Sequence, residues 1–122
     1  MTKTILTIDD SASVRQMVAL TLSAAGHNVI EAGDGAQGYA KAIAEPVHAV
    51  ITDLNMPVMN GIEFIRKYRQ HPMSKGVPII LLTTESDEAL KAEARAAGAT
   101  GWIVKPFKQD QLVAVIKKVT GA

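Results

Sequence analysis

Apolar and polar positions follow two rhythms that take turns along the chain. Five short runs have the length and composition of strands: Thr4-Ile5-Leu6-Thr7-Ile8, Asn28-Val29-Ile30-Glu31-Ala32, His48-Ala49-Val50-Ile51-Thr52-Asp53, Ile79-Ile80-Leu81-Leu82-Thr83 and Gly101-Trp102-Ile103-Val104. Between them, apolar residues recur at helical spacing. Val14, Met17, Val18, Thr21, Leu22 and Ala25 predict one face of a first helix, ended by Gly26. Ser11 or Ser13 is placed to cap it, Ser13 with Gln16 three residues on. A weaker helix is predicted from about Gly35 to Ala44, with Pro46 as its stop. Gly38 inside it should cost about 1 kcal/mol relative to alanine. A third helix begins after Asn60, with Glu63 as capping partner, and Pro72 and Gly76 close that segment. An alanine-rich helix runs from about Asp87 to Ala97 and stops at Gly98. Leu112, Val115, Ile116 and Val119 define the last.

Five βα units with no internal repeat or linker predict an α/β domain over residues 1–122. Its sheet should be parallel and covered by helices on both faces. Composition narrows the function. Thirteen basic against 12 acidic side chains leave a net charge of +1, which excludes a nucleic-acid binder that works through bulk charge. No apolar run approaches the roughly 18 residues of a membrane span. The short stretch before Asp9 predicts no signal peptide. Cysteine is absent, so disulfides, thiolate zinc sites and thiol catalysis are excluded, and a cytoplasmic location is expected.

Chemistry gathers where strands end. The first ends in Asp9-Asp10, the third in Asp53, the fourth in Thr83 and the fifth in Lys105; only the second, ending at Ala32, carries no reactive group. Open α/β sheets bind ligands beyond the carboxyl ends of their strands, where strand order reverses. An order of 2-1-3-4-5 puts that point between strands one and three and leaves the silent strand at the edge. Three converging carboxylates repel one another unless a divalent cation lies among them. All-oxygen ligation without His or Cys suits magnesium, with manganese the alternative. A phosphate oxygen replaces a retained water readily, and Lys105 and Thr83 would give it a cation and a hydroxyl donor. Singly, each feature reads as a turn former, a cap or a solvated charge. Four strand ends agreeing on one chemistry read as a phosphoryl site.

A competing pattern is Gly33-Asp34-Gly35-Ala36-Gln37-Gly38, a G-x-G-x-x-G with Asp53 standing 20 residues after Gly33. Asp34 would face the pyrophosphate with a negative charge, and the strand-end residues would have no work, so a tight strand-to-helix turn is the reading kept. His27, His48 and His71 lack ligand spacing and read as surface or turn residues.

Taken together, Ile8-Asp9-Asp10-Ser11, Thr52-Asp53-Leu54-Asn55-Met56-Pro57, Asn60-Gly61, Leu82-Thr83-Thr84 and Lys105-Pro106-Phe107 closely resemble the response-regulator receiver domain, in its single-domain chemotaxis, CheY-like form. The resemblance covers essentially the whole chain and implies a flavodoxin-like (βα)5 fold. It implies that Asp53 accepts a phosphoryl group and that Asp10 and Asp53 bind Mg2+ directly. Asp9 would act mostly through water, and Asn55 through its main-chain carbonyl. Lys105 would hold the phosphoryl group, before a cis bond to Pro106. Thr83 and Trp102 would be the switch pair; Trp102 stands where the family more often has Tyr or Phe. Asn55 and Glu85 would flank the attacking water and tune dephosphorylation. Lys108 stands where a capping Ser, Thr or Asp is more usual. The implied partners are a chemotaxis-type sensor histidine kinase and a phosphorylation-dependent target such as the flagellar motor switch. No nucleic acid and no membrane insertion are implied, and the expected state is a monomer. A phosphate sink without its own output is the alternative. A metal-dependent phosphohydrolase is more remote, because it usually wants an acid where Asn55 stands.

Overall fold

The structure, a computed structural model, describes residues 3–121. Its elements follow the two rhythms: β1 (Thr4–Ile8), α1 (Ala12–Ala24), β2 (Asn28–Ala32), α2 (Gly35–Ala44), β3 (Ala49–Thr52), α3 (Gly61–Arg69), β4 (Ile79–Thr83), α4 (Glu88–Ala97), β5 (Gly101–Val104) and α5 (Gln109–Thr120). All strand pairings are parallel and the order is β2-β1-β3-β4-β5, the flavodoxin-like arrangement. β3 is shorter than its apolar run: His48 and Asp53 lie just outside its bounds, although their N–H groups still donate to Thr4 O and Ile8 O of β1. A single 3-10 turn, Pro72–Ser74, lies between α3 and β4 and was not foreseen.

Strand side chains alternate between two cores, as the pleat requires. Ile5, Ala49, Ile51, Ile80, Leu82 and Ile103 pack with Val18 and Leu22 of α1 and Leu112 and Ile116 of α5. Leu6, Ile8, Val50, Ile79 and Leu81 pack on the other side with Ala42, Phe64, Ile65, Tyr68 and Ala94 of α2, α3 and α4. Central strands buried on both faces read as unbroken apolar runs, which is why they were legible.

Local signals explain the helix ends. Ser11, not Ser13, caps α1, accepting from Val14 N. Asn60 and Glu63 form a complete capping box at α3. Asp87 caps α4, and Gly98 ends it in the left-handed region at φ 117°. Lys108 occupies the N-cap of α5 without a side-chain bond. The face predicted for α1 needs correction: Met17 is 48% exposed and Ala25 is exposed too, so both lie outside the buried stripe, which Val18, Thr21 and Leu22 form. His27 lies in the turn between α1 and β2 and is buried there.

The G-x-G-x-x-G pattern serves packing. A Cβ at Gly35 would stand 2.5 Å from the Met59 carbonyl oxygen, and one at Gly38 would stand 2.4 Å from Ile8 Cδ1. Asp34 between them caps α2 by accepting from Gln37 N at 2.8 Å. Among the described residues no helix is long and apolar enough to cross a membrane.

Candidate functional site

The strand order places the carboxyl ends of β1 and β3 side by side, so Asp9, Asp10 and Asp53 meet there. Their carboxylates each offer an oxygen within 4.8 Å of the others. Asp9 and Asp53 are buried, while Asp10 is exposed. Lys105, just past β5, reaches back over the end of the sheet. Its Nζ donates to Asp9 Oδ2 at 2.9 Å and stands 3.6 Å from Asp53 Oδ1. The Lys105–Pro106 peptide is cis, as the resemblance implies.

Asp53 is held from its own backbone. Leu54 N donates to Asp53 Oδ1 at 2.8 Å, and Gly61 N donates to Leu54 O at 2.8 Å. Gly61 is required there, since a Cβ would lie 2.3 Å from the Asp53 carbonyl oxygen. Burial pushes the Asp53 carboxyl above the usual carboxylate range. The neighbouring charges of Asp9 and, more weakly, Asp10 push the same way; Lys105 and the Leu54 amide oppose them without prevailing. Three carboxylates facing one ammonium leave uncompensated negative charge in a partly dry crevice. Such a donor set, oxygen only and half open to solvent, fits a hard divalent cation that keeps several waters. Asp9 is held by direct pairing with Lys105.

Thr83 is wholly buried at the end of β4, and its Oγ1 accepts from Glu85 N at 3.3 Å. Trp102 on β5 is half-buried, packs against the α2–α4 core and donates from Nε1 to the Glu85 carbonyl at 2.9 Å. Glu85 thus joins the two through its backbone. The indole ring is thus half-covered and its N–H paired. Asn55 is exposed in the loop after β3, two residues past Asp53.

Sequence reasoning passed over Arg15. Its guanidinium donates from Nη1 to the Asp9 carbonyl, and its Nε lies 3.4 Å from Glu31 Oε1 on β2. The available signal was a cation one helical turn beyond the aspartate pair. Val58 was also missed: it is exposed with φ 72°, and Met59 N donates to Pro57 O across it at 2.7 Å.

Known proteins are similar to this chain in sequence and fold. The family profile "Response regulator receiver domain" matches residues 5–117. The probable chemotaxis protein CheY of Rhizobium etli is 38% identical over 119 residues, covering 97% of this chain and 92% of that protein. The phosphate regulon transcriptional regulatory protein PhoB of Pseudomonas aeruginosa is 35% identical over 117 residues; the match takes in 96% of this chain but only 51% of that protein. Among solved structures, the chemotaxis protein CheY4 of Vibrio cholerae superposes with a TM-score of 0.94 at 44% identity, over 98% of this chain and 99% of that one. The receiver domain of the Pseudomonas aeruginosa sensor histidine kinase PA1611, described with a magnesium ion coordinated in its active-site cleft, gives a TM-score of 0.91 at 25% identity, with both chains fully covered.

Proposed function

The chain belongs to the response regulator receiver domain family of two-component signalling, and from that membership we propose that it is a chemotaxis-type switch phosphorylated on Asp53. The carrying observation is Lys105 Nζ lying between Asp9 Oδ2 and Asp53 Oδ1, at 2.9 and 3.6 Å, beside the third carboxylate of Asp10. In this reading residues 1–122 form one receiver domain, cytoplasmic, and a sensor histidine kinase of the chemotaxis type supplies the phosphoryl group.

An oxygen of the Asp53 carboxylate attacks phosphorus, and the bond from phosphorus to the donor's leaving atom breaks. Burial strips this carboxylate of part of its hydration, which leaves the attacking oxygen less encumbered. Lys105 moves from pairing carboxylates to neutralising phosphoryl oxygens. The Thr83 hydroxyl, which accepts from Glu85 N, has its own proton to donate to the same group. Asp10, Asp53 and the Asn55 carbonyl would hold Mg2+, or Mn2+ in its place, with Asp9 supporting the site. When bound, the ion supplies positive charge against the phosphoryl oxygens. The protein is then a phosphoacceptor that promotes its own phosphorylation and dephosphorylation, not a turnover enzyme. Asn55 and Glu85 flank the route of the hydrolytic water.

The output is a face remodelled through Thr83, Glu85 and Trp102, which would bind a target such as the flagellar motor switch. Support for chemotaxis comes from the CheY relatives, which this chain matches over nearly their full length. Incubation with magnesium and a small acyl-phosphate donor, followed by mapping of the modified residue, tests the reading. Asp53 alone should be labelled, and Asp53→Ala or a chelator should abolish the label. Full labelling of Asp53→Ala would refute it. Capture of a target only in the presence of a phosphate mimic separates a switch from a phosphate sink.

A further inference from the structure

Asp9 is fixed from every side. Its N–H donates to Ala32 O at 3.1 Å, its Oδ1 accepts from Ser11 N at 2.9 Å and its Oδ2 from Lys105 at 2.9 Å. Asp10 is different: it is exposed and follows on the other side of a single peptide plane. The oxygen of that plane is the Asp9 carbonyl, and Arg15 Nη1 donates to it. Arg15 is itself anchored. Its side chain is only 21% exposed, and its Nε is 3.4 Å from Glu31 Oε1, on the edge strand opposite Thr7. The guanidinium therefore spans from the sheet edge to the β1–α1 loop.

We infer that Arg15 is a positioning residue for metal binding: it locks the peptide between Asp9 and Asp10 and so sets where the Asp10 carboxylate stands. The inference rests on the acidic site being a divalent-cation site, as proposed above. Rotation of that one peptide is the soft movement that would swing Asp10 out of the crevice. A planar fork suits the task, because one edge meets the carbonyl while another meets Glu31. Residues that orient metal ligands typically change affinity ten- to a hundredfold when removed.

Charge alone predicts the opposite result. A cation near a cation site repels the metal, so neutralising Arg15 would tighten binding if electrostatics ruled. Positioning predicts weaker binding. The test is calorimetric titration of the full chain with magnesium, for wild type, Arg15→Ala and Arg15→Lys. Arg15→Ala should bind magnesium about tenfold more weakly. Arg15→Lys keeps the charge but loses the fork, and should fall between the two. At saturating magnesium, labelling of Asp53 by an acyl phosphate should stay within about twofold of wild type in both variants, because the attacking carboxylate is held by Leu54 and not by Arg15. Equal or tighter binding by Arg15→Ala overturns the inference. Should that variant not fold, wild-type affinity in Arg15→Lys overturns it instead. A wild type that binds no magnesium also overturns it. A wild type that binds magnesium but is never labelled refutes the proposed phosphorylation, while the affinity series still supports Arg15.

Discussion

Val58 sits at a positive φ of 72°, with Met59 N bonded to Pro57 O at 2.7 Å across it, the geometry of the rare and strained positive-φ γ-turn. A β-branched side chain there is strained, and this one is 82% exposed, so no packing is gained in return. Val58→Asn should stabilise the protein by about 1 kcal/mol, read from the midpoint of urea unfolding. His27 illustrates a different residue-scale tension. Its Nδ1 has no hydrogen-bond partner among the described residues, and burial above all, with Lys3 adding, holds its pKa below the ordinary 6.5. The folded state therefore disfavours the protonated ring while the unfolded chain accepts it. Stability should be fully present above about pH 6.5 and fall as pH drops through that value. His27→Leu should flatten the decline, as followed by thermal melts at a series of pH values; an unchanged pH profile would contradict this account.

At the scale of elements, α2 separates local preference from packing. Propensity alone says that Gly38→Ala should stabilise this helix by about 1 kcal/mol. The structure says the reverse. The new methyl would stand 2.4 Å from Cδ1, 2.8 Å from Cγ1 and 3.3 Å from Cγ2 of Ile8, a residue only 1% exposed. Overpacking of this kind costs about 1–3 kcal/mol, so Gly38→Ala should be net destabilising. Pairing it with Ile8→Val should recover much of the loss, giving a clear non-additivity in a double-mutant cycle. The ends of other helices were legible beforehand, since the cap at Asn60 and the stop at Gly98 are properties of a few adjacent residues. The place of Met17 was not. Helical spacing marks a stripe but not its exact rotation, and α5 covers the side of α1 that carries Val18 and Leu22.

Across the whole molecule, the site and the Trp102 region are joined through one backbone segment. Thr83 Oγ1 accepts from Glu85 N, and the Glu85 carbonyl accepts from Trp102 Nε1. Trp102 is the sole tryptophan, and Leu54, not an indole, follows Asp53. Magnesium should therefore change the fluorescence little. A phosphate mimic added afterwards should change it clearly, through the Glu85 bond more than through loss of water around the ring. Thr83→Ala should still accept a phosphoryl group but weaken the fluorescence response. A full response to magnesium alone would mean that Trp102 does not report the switch. Residue order was enough to establish the alternation of strands and helices, the parallel sheet and the polar side chains at four strand ends, because burial on both faces and local capping are written in short stretches of chain. Tertiary structure alone decided the rest. Lys105 meets Asp9 across 96 positions of sequence, Arg15 reaches back to hold the Asp9 carbonyl, and Gly38 yields to Ile8, since each depends on distances that exist only once distant segments have packed.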